Sequence, residues 1–223
     1  MEILLDTAHV ETIRKYSSIY NLTGVTTNPT ILAREKAEFF PLLQEIRGII
    51  GDGQLHVQVT GNTCEEMMNE AEAVTDRLGK ETYIKVPANE EGLKTMKALK
   101  SRGFLVTATA IYMPQQAMLA SVAGADYVAP YFNRMNNMNV DGRQAVQDIA
   151  TLFRHFGRRT KILAASFHNT YQIMEALMAG ADAVTASADM FTTMVENPSV
   201  DGAIADFRRD WTDTYGDRRI YEL

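Results

Sequence analysis

The sequence has 223 residues, of which 46% are hydrophobic, and a formal net charge of -6. This length and composition suffice for one globular domain with a sizeable core. The acidic balance and the absence of a basic run argue against nucleic acid as a partner. A locally placed arginine can still bind a phosphorylated metabolite. No apolar run approaches the ~20 residues that a membrane-spanning helix needs.

Cysteine usage and the first residues bear on the compartment. The single cysteine, Cys64, excludes an intrachain disulfide and is compatible with a reducing environment. The first residues have no basic segment, no long apolar segment and no small-residue cleavage site. We therefore expect no signal peptide and predict a cytoplasmic protein.

Short apolar, β-branched segments alternate along the chain with longer segments of helical periodicity. Strands are predicted at Ile3–Asp6, Gly24–Asn28, Leu55–Val59, Thr82–Val86, Phe104–Ala110, Ala125–Pro130, Lys161–Ala165 and Ala183–Ser187. Helices between them include Thr63–Leu78, Glu90–Arg102, Gln115–Val122, Arg143–Phe156 and Thr170–Ala179. Eight such units in ~220–250 residues predict an α/β fold, a parallel (β/α)8 TIM barrel forming a single domain over residues 1–223.

Two questions about this architecture stay open. A doubly wound open sheet is the alternative, but its G-x-G-x-x-G fingerprint is absent after the first strand, where Leu5–Ala8 stands. An extra C-terminal helix at about residues 200–215 has no place in a minimal barrel. It carries apolar residues every three to four positions: Ile204, Phe207, Trp211 and Tyr215. It either packs across its own barrel end or docks on a neighbouring subunit.

Nearly every predicted strand ends on a polar side chain. Catalytic groups of parallel barrels collect at the carboxyl ends of the strands, so these side chains are candidates for one site. In chain order they are Asp6, Thr26, Asn28, Gln58, Lys85, Thr107, Thr109, Tyr131 and Ser166. We assign Thr26 and Thr107 to substrate binding.

Lys85 is the one lysine among these strand ends. A barrel strand is buried on both faces, where a lysine is unusual. Loss of hydration lowers the pKa of an ammonium group and yields a neutral amine that can attack a carbonyl. The alternative is a strand-end lysine that reaches solvent or pairs with an acid. The surrounding polar side chains favour the catalytic interpretation.

The other strand-end residues each have two interpretations. Asp6 can orient or protonate a substrate hydroxyl, or it can cap a helix starting near Ala8. Asn28 can bind sugar hydroxyls, or it can open the turn before Pro29. Tyr131 can move a proton through a bound water, or it can be a core aromatic residue.

Neutral and cationic groups complete the predicted site. Gln58 and Thr109 can hold a water molecule. Arg134, after the sixth strand, and Ser166, at the end of the seventh, suit a phosphate, because late strand ends of barrels often bind one. The alternative for Arg134 is a solvated loop charge.

Metal and nucleophile motifs are missing. The four histidines show no metal-ligand spacing, and we expect surface or capping roles for them: His9, His56, His155 and His168. No serine or cysteine nucleophile pattern is present. We expect neither a metal nor a cofactor.

Several segments together resemble the transaldolase family. They are Leu5-Asp6-Thr7, Gly24-Val25-Thr26-Thr27-Asn28-Pro29-Thr30, Ile84-Lys85-Val86-Pro87, Tyr127-Val128-Ala129-Pro130-Tyr131 and Ala164-Ala165-Ser166-Phe167. The similarity extends over essentially the whole chain. It is greatest to the short fructose-6-phosphate aldolase branch, because true transaldolases usually carry Glu at the position of Gln58 and Phe at that of Tyr131.

The resemblance implies a set of roles. Lys85 would form a Schiff base with a ketose donor, Asp6 and Asn28 would hold donor hydroxyls, and a catalytic water would lie near Tyr131. The same water would contact Gln58 and Thr109, and the aldehyde's phosphate would contact Arg134 and Ser166. The resemblance also implies a homo-oligomer, a decamer of two pentameric rings, in which the C-terminal helix reaches a neighbour.

The leading hypothesis is reversible cleavage of fructose 6-phosphate into dihydroxyacetone and glyceraldehyde 3-phosphate. The alternatives are a transaldolase that passes a dihydroxyacetone unit between sugar phosphates, and a non-catalytic barrel that binds a sugar phosphate. Two positions depart from the family pattern: Ala186-Ser187 replaces a more usual Leu-Pro, and His168 replaces a Lys or Arg. These departures concern the acceptor preference.

Overall fold

Eight parallel strands close into a barrel in the computed structural model, which describes residues 1–223. The strands are β1 (Glu2–Asp6), β2 (Gly24–Thr26), β3 (Gln54–Gln58), β4 (Tyr83–Pro87), β5 (Leu105–Ile111), β6 (Tyr127–Pro130), β7 (Lys161–Ala164) and β8 (Ala183–Ala186). Each strand pairs with the next along the chain, and β8 pairs with β1. The predicted (β/α)8 TIM barrel is therefore confirmed, and the open doubly wound sheet is excluded.

Eleven helices surround or follow the barrel. They are α1 (Val10–Ile19), α2 (Pro29–Glu35), α3 (Phe39–Ile50), α4 (Cys64–Leu78), α5 (Glu90–Ser101), α6 (Pro114–Val122), α7 (Phe132–Asn137), α8 (Gly142–His155), α9 (Thr170–Met178), α10 (Ala188–Val195) and α11 (Pro198–Tyr215), with a final 3₁₀ turn at Ile220–Glu222. The five helices predicted individually are all present, with ends that differ by one residue. None of the eleven is long and apolar enough to cross a membrane.

The second strand is shorter than predicted. It ends at Thr26 rather than at Asn28, because the Asn28 side chain accepts a hydrogen bond from the backbone N of Ile31 at 3.0 Å and caps α2. Pro29 at the first helical position supports the same helix start. The helix thus begins directly after the strand and holds Asn28 at the barrel mouth.

The main core lies between the barrel wall and the surrounding helices. It is one cluster of 40 buried residues, to which the strands contribute their outward-facing side chains. Val25, Ile84 and Val128 are examples, each 0% exposed. Because side chains alternate along a strand, the neighbouring residues of these strands face the barrel interior. The helices therefore cover one face of the sheet, and the other face encloses the interior, where Leu4, Tyr127, Leu163 and Ala183 form a small second cluster.

The barrel interior contains a hydrogen-bonded chain around a buried histidine. His56 is 0% exposed and stacks on Tyr83 with ring centroids 4.5 Å apart. Its Nε2 donates to Oε1 of Gln54 at 3.1 Å, and its Nδ1 accepts from Thr107 at 2.9 Å. The amide of Gln54 then donates to the Tyr127 hydroxyl at 3.0 Å. Burial lowers the pKa of His56 well below its ordinary value, helped by the charge of Lys85.

The expectation of a surface or capping role is therefore wrong for His56. It is correct for His9, which accepts from the backbone N of Thr12 and caps α1. His155 and His168 lie at the surface, as expected. The sequence around His56 resembles any other strand segment, so only the packing of the barrel distinguishes it.

Gly24 in β2 has no room for a side chain. A Cβ there would lie 2.0 Å from the backbone O of Gln54 on the neighbouring strand. Gly24→Ala must therefore separate β2 from β3, and we expect a loss of roughly 1–3 kcal/mol in the free energy of unfolding. Gly48→Ala is the matched control, because its Cβ would meet nothing within 4 Å on the exposed face of α3. Chemical denaturation should show the control unchanged or stabilised by up to about 1 kcal/mol, and equal effects would contradict this account.

The last helix does not pack on its own barrel. Helix α11 has no buried residue, and Ile204 and Phe207 are 46% and 70% exposed. The alternative in which this helix covers its own barrel end is therefore wrong. Its partial shielding comes from the chain that follows, where Trp211 Nε1 donates to the backbone O of Arg218 at 2.8 Å.

Candidate active site

Lys85 lies in the middle of β4 with its side chain inside the barrel. It is 6% exposed, and its Nζ donates to the backbone O of Thr27 at 2.7 Å. No carboxylate lies within 4.0 Å of the amine to form an ion pair. Burial lowers the pKa of Lys85, and the charge of Asp6 opposes that effect. The interpretations of a solvent-reaching lysine and of an ion-paired lysine are therefore both wrong.

The amine opens into a cavity of about 100 Å³ at the carboxyl ends of the strands. The predicted residues that line this cavity are Asp6, Thr26, Asn28, Lys85, Tyr131, Arg134 and Ser166. Residues that were not predicted complete the lining: Ala129, Leu163, Ala165 and Thr185. The structure thus brings side chains from β1, β2, β4, β6, β7 and β8 together around one nitrogen.

A short chain of hydroxyls orients the carboxylate in this cavity. Thr26 Oγ1 donates to Asp6 Oδ1 at 2.6 Å, and the Thr185 hydroxyl lies 2.6 Å from the same Thr26 oxygen. Since Thr26 uses its proton on Asp6, Thr185 is the donor of the second bond. The helix after β1 begins at Val10 and is capped by His9, so Asp6 is not its cap. The second interpretation of Asp6 is therefore wrong, and one of its oxygens remains for a ligand.

The phenol of Tyr131 lies on the other side of the cavity. Its hydroxyl is 2.9 Å from Thr109 Oγ1, and the guanidinium carbon of Arg134 lies 4.9 Å from the ring centroid. Burial raises the pKa of Tyr131, while the Thr109 hydrogen bond and the Arg134 charge partly offset that rise. Tyr131 therefore keeps its proton near neutral pH. A neutral phenol can both donate and accept hydrogen bonds.

A β-bulge in β5 sets the direction of the side chains near Tyr131. Ala108 pairs with Val128 and Ile111 pairs with Pro130, so two residues of β5, Thr109 and Ala110, stand opposite one residue of β6. Ala110 has φ of 56°, in the left-handed region that a residue with a Cβ seldom adopts. Bulges often occur beside active sites, where they redirect side chains.

Three predicted residues, Thr107, Gln58 and Thr109, lie outside the cavity lining. Thr107 is 0% exposed and bonds to His56 in the layer below, so it does not line the cavity. Gln58 pairs with Lys85 across the strands but lines a neighbouring apolar cleft of about 510 Å³ between α2, α3 and α4. Its Oε1 is buried without a hydrogen-bond partner. Thr109 reaches the site only through Tyr131.

The residues that sequence reasoning missed fall into two kinds. Thr185 could have been found, because it alternates with the outward-facing Val184 and Ala186 in β8. The other two are the backbone oxygen of Thr27 and Tyr112, whose hydroxyl accepts a hydrogen bond from Arg134 Nη1 at 3.3 Å, and neither leaves a signal in residue type. Both depend on local backbone geometry, which side-chain patterns do not encode.

The fold and this cluster define a (β/α)8 barrel protein with a buried amine at the carboxyl ends of its strands. The family model described as "Transaldolase/Fructose-6-phosphate aldolase" matches residues 3–217. The chain belongs to this family.

Individual comparisons add one relative by sequence and two solved structures of similar fold. A protein of Streptococcus pneumoniae (strain ATCC 700669 / Spain 23F-1), named "Probable fructose-6-phosphate aldolase", is 44% identical over 213 residues, covering 95% of this chain and 96% of that protein. Among solved structures, the chain is similar to a thiamine phosphate pyrophosphorylase from Pyrococcus furiosus, with a TM-score of 0.59, 15% identity, and coverage of 84% of this chain and 85% of the other. It is also similar to an inosine 5' monophosphate dehydrogenase from Legionella pneumophila, with a TM-score of 0.60 and 16% identity. That match covers 85% of this chain and 58% of the other. Those two likenesses concern the fold alone.

Proposed function

We propose that this protein is a Schiff-base aldolase that reversibly cleaves fructose 6-phosphate into dihydroxyacetone and glyceraldehyde 3-phosphate, with the whole chain acting as one barrel domain. The observation that carries the proposal is the buried amine of Lys85 at the barrel mouth, which forms no ion pair. The name of the pneumococcal relative supports the choice of substrate.

The first step is attack of the Lys85 amine on the C2 carbonyl of the ketose. The amine must be neutral, and loss of hydration favours that form. The resulting carbinolamine expels water and leaves an iminium between Nζ and C2. Asp6 and Asn28 hold the donor hydroxyls beside it, since Asp6 keeps one free carboxylate oxygen and Asn28 keeps its amide NH2.

The second step breaks the bond between C3 and C4. A water held by the Tyr131 hydroxyl takes the proton of the C4 hydroxyl, and the bonding electrons move into the iminium to give an enamine. Glyceraldehyde 3-phosphate leaves. The enamine carbon C3 is then protonated from the same water, and hydrolysis of the iminium releases dihydroxyacetone and restores the amine.

Arg134 and Ser166 are positioned for the phosphate of the aldehyde. Both line the cavity on the side of β6 and β7. A guanidinium offers several donors in one plane, which suits phosphate oxygens. Ser166 has φ of 61°, so its backbone is held in a conformation that a serine seldom adopts. Strain of this kind is often retained where it serves a site.

Borohydride reduction tests the covalent step. Dihydroxyacetone is incubated with the protein, the iminium is reduced, and the adduct is mapped by peptide mass. An adduct confined to Lys85 supports the proposal, whereas no adduct at Lys85 refutes it. A second assay measures release of glyceraldehyde 3-phosphate from fructose 6-phosphate with and without erythrose 4-phosphate. An absolute need for that acceptor would make the protein a transaldolase instead.

Formation of the adduct should depend on pH. Because the folded-state pKa of Lys85 is lowered, the fraction of neutral amine should rise with pH and level off below the ordinary lysine value of 10.5. The Asp6 charge raises that pKa, so Asp6→Asn should move the inflection to lower pH. The measurement is the initial rate of borohydride trapping at subsaturating dihydroxyacetone. An inflection that stays in place in Asp6→Asn would contradict the assigned geometry.

We also propose that the protein is a homo-oligomer, a pentamer or a decamer, in which α11 contacts a neighbouring subunit. The apolar side chains of this helix support the proposal, because they lie in solvent in the single chain. Light scattering measures the mass directly, and a monomer would refute it. Deleting residues 198–223 should reduce the number of subunits in the assembly if α11 makes the contact.

A further inference from the structure

The β-bulge described above decides which side chain follows Thr109 into the barrel mouth. In a regular strand, Thr107, Thr109 and Ile111 would share one face. The extra residue at Ala110 reverses the alternation, so Ile111 is 0% exposed and belongs to the core between barrel and helices. Tyr112 consequently turns toward the barrel mouth instead of an apolar isoleucine.

The turned side chain contacts two residues of the candidate site. The Tyr112 ring meets the edge of the Tyr131 ring, with centroids 5.6 Å apart and an angle of 72° between the planes. Its hydroxyl accepts a hydrogen bond from Arg134 Nη1 at 3.3 Å. Arg134 is otherwise exposed and forms no ion pair. Tyr112 is therefore the one side chain that accepts a hydrogen bond from this guanidinium, which also lies against the Tyr131 ring.

The backbone of Tyr112 is itself fixed. Its N donates to Gln116 Oε1 at 2.8 Å, and the N of Met113 donates to the same oxygen at 3.1 Å. These bonds tie the end of β5 to the first turn of α6. The position of the Tyr112 ring is thus set by the bulge that precedes it and by the start of α6 that follows it.

We infer that Tyr112 is a positioning residue that aims Arg134 at the phosphate of the aldehyde, an inference that rests on the proposed function. A long arginine side chain loses several rotamers when it binds an anion, and a hydrogen bond that holds it beforehand reduces that loss. Tyr112 then increases the affinity for phosphorylated ligands and leaves the amine chemistry of Lys85 unchanged.

Tyr112→Phe tests the inference, because it removes the hydroxyl and keeps the ring. In the synthetic direction, the KM for glyceraldehyde 3-phosphate should rise roughly 3- to 10-fold, as expected for loss of one hydrogen bond of ordinary strength at an exposed guanidinium. The kcat should change by less than about twofold, and so should the KM for unphosphorylated glyceraldehyde. A general structural defect would affect both aldehydes equally, and that result, or no change for either, overturns the inference. Tyr171→Phe, on the exposed face of α9, is the matched control.

Two further measurements separate this inference from the proposed function. Calorimetric binding of inorganic phosphate, which needs no turnover, should weaken in Tyr112→Phe by a similar factor. In an Arg134→Gln background, Tyr112→Phe should have no further effect, and a persisting effect would show that Tyr112 acts on something else. If wild type forms the Lys85 adduct but phosphate affinity and KM do not respond to Tyr112→Phe, only the inference fails. If wild type forms no adduct, the proposed function fails.

Discussion

Lys85→Met should abolish turnover while leaving the protein folded. Without the amine no iminium can form, so we expect kcat to fall by at least about 10⁴-fold. Methionine has a similar length and carries no charge that needs hydration. It also leaves the backbone O of Thr27 without its present donor. These two effects oppose each other, and the free energy of unfolding should change by no more than about 1 kcal/mol.

The comparison needs a lysine that is not part of the site. Lys97→Met changes an exposed residue of α5 and should leave both turnover and melting temperature unchanged. Turnover is followed by coupling the released glyceraldehyde 3-phosphate to a dehydrogenase, and stability is followed by thermal denaturation. Substantial residual turnover in Lys85→Met, with a folded protein, would move the covalent step to another residue.

Tyr131→Phe should separate the covalent step from proton transfer. The phenylalanine ring can still pack beside Arg134, but the hydroxyl that binds Thr109 is lost. A positioned acid or base usually contributes 10²–10⁴-fold, so kcat should fall by roughly that factor. The iminium with Lys85 should still form, because its nitrogen and its neighbours Asp6 and Thr26 are unchanged.

Mass mapping after borohydride reduction distinguishes these steps. An intact Lys85 adduct together with a large loss of turnover supports a proton-transfer role for Tyr131. Loss of the adduct as well would mean that Tyr131 acts in iminium formation. Tyr171→Phe again serves as the control, and a loss of turnover there would point to a general effect of the substitution.

The parallel barrel could be predicted from the sequence because strand-like and helix-like segments alternate eight times, and few folds accommodate that pattern. Most of the cavity followed as well, since parallel strands bring their carboxyl ends together whatever residues they carry. Lys85 and Asp6 were predictable from type and position alone. Residue patterns alone do not indicate which side chains face the cavity where the backbone departs from regular alternation or where a layer below the site is polar.

Gln58, Thr107 and Tyr112 illustrate these limits. Gln58 ends its strand as expected and pairs in register with Lys85, but it also lines a neighbouring cleft, so its predicted role stays a prediction. Thr107 lies one layer too deep, where His56 needs a hydroxyl donor. Tyr112 reaches the mouth only because Ala110 adds a residue to the strand. An extra residue in a strand moves every later side chain of that strand to the opposite face of the sheet. Nothing in the residue types around Ala110 predicts that extra residue.

The exposed apolar face of α11 has a consequence for how this protein responds to dilution. A solitary helix of 18 residues is only marginally stable in water, because most helix stability in proteins comes from packing. If a neighbouring copy supplies that packing, the chain terminus frays before the barrel opens whenever the assembly dissociates. Protein concentration then becomes a variable of the melting curve, and the terminal segment becomes the first point of attack for a protease.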